Sequence, residues 1–107
     1  MANTYVNAKV DLTGTSVTVL YTCAALTTGI VKSILVSEDS GNADTITATI
    51  TDASSAVFSL FKTKSVSANA TEELLSAPLV VQAGEILKVT AATADRLHVV
   101  ASILEIT

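Results

Sequence analysis

The chain from Leu79 to Thr107 alternates in twos. Leu87, Val89 and Ala91 are separated by Lys88 and Thr90, and Leu97, Val99, Ala101 and Ile103 alternate with His98 and Ser102. A two-residue period turns one set of side chains inward from a strand; a helix needs a period near 3.6. Gln82-Ala83-Gly84-Glu85 and Ala94-Asp95-Arg96 interrupt the alternation with turn residues. The spacing therefore predicts three extended segments at 79–82, 86–92 and 97–106, the back of a β-sandwich.

The upstream chain extends the same reading. Thr4 to Val10 forms a first short extended segment, with residues 1–8 expected as a loosely held N-terminal arm. Thr15–Ala25 is rich in β-branched residues, and its period places Val17, Val19, Tyr21 and Cys23 on one face. In 30–37, Ile30, Ile34 and Val36 share a face with Lys32, while Val31 and Leu35 alternate with Ser33 and Ser37. Two partly apolar faces predict a central or covered strand, because a strand with one wet face alternates more cleanly. Thr45–Thr51 has that clean alternation, with Ile46, Ala48 and Ile50 facing in and threonines facing out. Ala56–Lys62 comes after Asp52-Ala53-Ser54-Ser55 and points Phe58 and Phe61 to opposite faces. Residues 66–73 read as a loop or short edge segment, and a helix of one or two turns fits 70–75.

Seven to nine short strands spaced about 8–14 residues apart predict an all-β fold. The expectation is a single antiparallel β-sandwich domain over 1–107, jelly-roll-like or immunoglobulin-like, with the wiring open.

Composition adds a constraint on the surface. Only 15% of the residues are charged while half are hydrophobic, against a typical charged share of ~25%. Mean hydropathy is +0.57. No apolar run approaches the ~18 residues of a spanning helix, so the excess is expected to cover another protein surface rather than a membrane. With no Trp, two Tyr and two Phe, the core is expected to be thin and aliphatic. A net charge of −4, with five Lys and one Arg scattered along the chain, lacks the cationic face that phosphates require, which argues against nucleic acid. The first residues carry neither a basic nor an apolar leader pattern, so folding in a reducing cytoplasm is expected.

Candidate chemistry is sparse. His98, the one histidine, lies on the polar side of its strand with no local nucleophile motif, and reads as solvent-facing or interfacial. Cys23, the one cysteine, is in phase with apolar neighbours and reads as a buried, inert thiol. Glu38, Asp39, Asp44 and Asp52 could supply oxygens to a hard cation, but their spacing matches no calcium loop, so they read as solvated loop carboxylates. Glu72 and Glu73 point apart on an extended chain and make no acid/base pair. Gly14, Gly29, Gly41 and Gly84 stand singly in turns and form no phosphate cradle. The expectation is no catalytic residue, no metal site, no cofactor, and an interface whose residues the sequence does not designate.

Four phrases carry a resemblance. Gly29-Ile30-Val31-Lys32-Ser33-Ile34-Leu35-Val36, Thr45-Ile46-Thr47-Ala48-Thr49-Ile50-Thr51-Asp52, Ala77-Pro78-Leu79-Val80-Val81-Gln82-Ala83-Gly84-Glu85 and Leu97 through Ile106 together resemble small virion structural proteins of tailed bacteriophages. The resemblance implies a compact β-sandwich in a virion assembled in the host cytoplasm, most directly a capsid decoration or cement protein without enzymatic activity. Its implied partners are the major capsid protein or other virion proteins, and further copies of itself, a trimer before other states. A neck, tail or fibre component is the alternative. A carbohydrate-binding module comes behind it, since sugar platforms use exposed aromatics and this chain offers Tyr5, Tyr21, Phe58 and Phe61.

Overall fold

The computed structural model describes residues 2–107. They form nine strands: β1 (Asn3–Leu12), β2 (Thr18–Thr22), β3 (Thr28–Glu38), β4 (Asp44–Thr51), β5 (Val57–Val66), β6 (Thr71–Glu73), β7 (Leu79–Val81), β8 (Ile86–Ala91) and β9 (Leu97–Ile106). One sheet runs β1-β9-β3-β6, with β7 also paired to β3, and the other runs β2-β8-β4-β5. All pairings are antiparallel.

The pairs are nested. β4 pairs with β5, β3 with β6 and β7, β2 with β8, and β1 with β9, so the chain behaves as one long antiparallel ribbon rolled until alternate pairs fall on opposite sheets. That is the jelly-roll wiring, and it excludes the immunoglobulin-like alternative.

β9 is the spine of the larger sheet. It pairs with β1 from Asn3↔Ile106 to Leu12↔Leu97, and with β3 from Thr28↔Ile106 to Glu38↔Leu97. Its inward side chains Leu97, Val99, Ala101 and Ile103 are all buried, and they face Leu87, Val89 and Ala91 of β8 and Ile46 and Ala48 of β4 within one core cluster. The core is aliphatic as expected, and Tyr21 is its buried aromatic.

Four local readings need correction. β1 is no loose arm, since from Asn3 onward it pairs residue by residue with β9. In β2 a bulge between Val19 and Tyr21 breaks the period, so the consecutive Leu20 and Tyr21 are both buried, while Val17 and Val19 are exposed instead of joining Cys23. β3 carries a second bulge between Val31 and Ser33. The inward phase therefore shifts from Val31 to Ile34 and Val36, and Ile30 lies on the other face. The fourth correction concerns 70–75, which forms no helix: Thr71–Glu73 hydrogen-bonds to the edge of β3 as a three-residue strand.

Candidate interaction face

The outward face of the larger sheet is ordered in rows, because residues directly opposite on antiparallel strands share a face. One row runs Tyr5, Leu104, Ile30 and Val80 across β1, β9, β3 and β7. Tyr5 is 75% and Val80 52% exposed, with Leu104 and Ile30 half-buried between them. The next row is polar, with Asn7, Ser102 and Ser33. A third runs Lys9, Val100, Leu35 and Glu73, and a fourth Asp11, His98, Ser37 and Thr71. A sandwich face turned to water normally carries polar side chains. Here an apolar row crosses the whole sheet.

His98 sits in the fourth row between two carboxylates, 3.3 Å from Asp11 on β1 and 3.6 Å from Asp39 just beyond β3. It is half-buried on the outer face. Glu73 occupies the notch where the chain leaves β6 and has not yet reached β7. Its carboxylate accepts hydrogen bonds from Ile34 N at 2.8 Å, Leu75 N at 3.2 Å and the Ser33 hydroxyl. Burial opposes ionisation, but these donors prevail and hold the Glu73 carboxyl below its ordinary range. Glu72, paired with Val36, points to the other side.

The acidic loop residues are not the uniformly solvated group expected from sequence. Glu38 is buried at the end of β3 and accepts hydrogen bonds from Ser40 N, Gly41 N, Asn42 N and Asn69 N, and from the Ser40 hydroxyl. Burial works against its charge, yet the donors outweigh it and lower its pKa to about 2. Buried Asp44 accepts from Thr45 N and Thr93 N, and Arg96 donates to Ala43 O at 2.9 Å. These side chains tie the β3–β4, β5–β6 and β8–β9 loops into one rigid end. Asp52, at the far end of β4 from Asp44, folds its own turn by accepting from Ser54 N and Ala56 N. Among the described residues no group of three or more His, Cys, Asp or Glu gathers where it could hold a metal ion.

The opposite end presents a different feature. Leu26, in the β2–β3 loop, is 93% exposed and has φ +60°, a left-handed conformation unfavourable for a branched side chain. The loop is held by Cys23, which is buried as expected. Its Sγ donates to Thr27 O at 3.3 Å, Cys23 N donates to Glu85 O and Gly84 N donates to Cys23 O, each at 2.9 Å.

Sequence reading missed Tyr5, Ile30, Val80 and Leu104 as one surface. The available signal was the apolar residues on the outward phase of 98–106 and 30–36; only strand register assembles them into a row. No protein-family model and no curated protein matches the chain.

Proposed function

We propose that this chain is a non-enzymatic structural protein of a tailed-phage virion, a decoration protein that binds the assembled shell as a homo-oligomer and stiffens it. The virion context comes from the strand and turn phrases of β3, β4, the β7–β8 turn and β9. The jelly roll is also a frequent architecture of capsid and lectin domains, although a fold by itself does not assign a function.

The observation that carries the docking role is Leu26, an apolar side chain held in a strained backbone conformation at the tip of a loop fastened on both sides. Strain of this kind costs roughly 1–3 kcal/mol and persists where the surroundings over-determine it. Seating the side chain in a pocket of a shell protein recovers about 1.5–3 kcal/mol per copy, and a lattice repeats that gain at every site. A sugar platform has less support: the exposed aromatics Tyr5 and Phe58 stand on different sheets.

Capsids lacking the protein provide the test. Added wild-type protein should bind them and raise the temperature at which they rupture, while Leu26→Asp should fold normally and fail to bind. Wild-type protein that neither binds nor protects the shells contradicts the reading.

A further inference from the structure

We infer that the outer face of the β1-β9-β3-β6 sheet is a self-association surface, on which two copies stack face to face about a two-fold axis parallel to the strands, between β9 and β3. The charges at the two edges of the face favour this axis, while Lys32, exposed at the β3 bulge, adds a cation near its middle. Lys9 and Glu73 terminate the same cross-strand row at opposite edges of the sheet. A two-fold axis along the strands keeps each row in place and reverses its order, so Lys9 of one copy lies over Glu73 of the other, twice per dimer. Glu73 stays ionised, because the donors around it favour its charged form.

The apolar row obeys the same operation. Tyr5 at one edge meets Val80 at the other edge of the second copy, and Leu104 meets Ile30. Two exposed, large apolar side chains are thus covered by two equivalents, and the isologous contact is self-complementary as a closed dimer requires. Size is adequate as well. Three strands of about ten residues at ~3.4 Å each, with the three-residue β6 and β7 sharing the fourth position and ~4.8 Å between neighbours, present a flat footprint of roughly 590 Å². Side-chain relief raises the accessible area toward the ~800 Å² per partner of a specific interface. A three-fold arrangement, expected from the resemblance alone, brings no such row against its own reverse.

This inference does not rest on the virion reading, since purified protein tests it. Sedimentation equilibrium at micromolar concentration should give a dimer for the wild type. Tyr5→Lys and Val80→Glu should each weaken it about tenfold or more, since each changes two symmetric contacts. An equimolar mixture of the two variants should dimerise again, because the new lysine of one copy faces the new glutamate of the other while the remaining Val80–Tyr5 contact is native. Lys9→Glu, an exposed change that leaves the sandwich intact, should weaken association most at low salt. A wild-type monomer or trimer, variants that dimerise like wild type, or a mixture no tighter than its components each overturns the two-fold face.

Discussion

Tyr21 of β2 donates a 2.6 Å hydrogen bond to Glu105 of β9, and so links the two sheets across the space left by the missing side chain of Gly29. Burial first, and then that bond, push the phenol well above its ordinary pKa, so it remains the donor. A Cβ on Gly29 would stand 2.9 Å from the Tyr21 hydroxyl oxygen and 3.1 Å from its ring. Tyr21 is buried and cannot swing away freely. Gly29→Ala should therefore cost about 1–3 kcal/mol in denaturant unfolding. Adding Tyr21→Phe removes the clashing oxygen, so the double variant should lose less than the sum of the two single losses. Strict additivity would show that the two positions do not compete for that space.

Stability should fall in acid through Glu38 and Glu73. Both carboxyls have lowered folded-state pKa values, Glu38 to about 2. A depressed carboxylate contributes stability that is complete above its unfolded pKa of about 4.3 and is lost as pH falls through the folded value. Thermal melts of the wild type should hold level from pH 7 to about 5 and then drop toward pH 2. Glu38→Gln should melt lower at pH 7 but lose less between pH 5 and 2. An acid limb identical to that of the wild type would mean that the loop bonds around Glu38 do not depend on its charge.

Thr51 is buried, and its hydroxyl has no hydrogen-bond partner among the described residues. Replacing it with isosteric valine removes the desolvation cost of that hydroxyl and should stabilise the protein by about 1 kcal/mol. The urea midpoint should rise with an unchanged slope. A lower midpoint would show that the hydroxyl is satisfied in solution.

Both chain ends should matter to folding. Deleting Leu104–Thr107 removes residues that pair with β1 on one side and β3 on the other, and should abolish soluble expression. Deleting residues 2–8 strips most of β1 and exposes the edge of β9, so it too should lower solubility and broaden the thermal transition. A truncated N-terminus that melts cooperatively at the wild-type temperature would restore the picture of a dispensable arm.

β8 and β9 were legible because nothing interrupts their alternation: Leu87, Val89 and Ala91, then Leu97 to Ile103, point inward at every second residue. β2 and β3 were legible as strands but not in phase. One extra residue near Leu20 and another near Lys32 reverse the facing of the rest of each strand, and no residue type announces a bulge. The pairing of β1 was hidden because its outward phase, Tyr5, Asn7, Lys9 and Asp11, is mostly polar and its inward Val6, Ala8 and Val10 are modest in size. Glu38 looked like any loop acid, since Asn69, one of its donors, is 31 positions away. The apolar row across Tyr5, Leu104, Ile30 and Val80 drew on four strands, so no single stretch contained it.

The central claim, that the protein covers a viral shell, is tested most directly by counting its copies in purified particles by quantitative mass spectrometry against the major shell protein. The account predicts a fixed ratio to the shell subunits, repeated over the whole lattice. A handful of copies per particle, or none, would contradict it, the former placing the protein in the neck or tail.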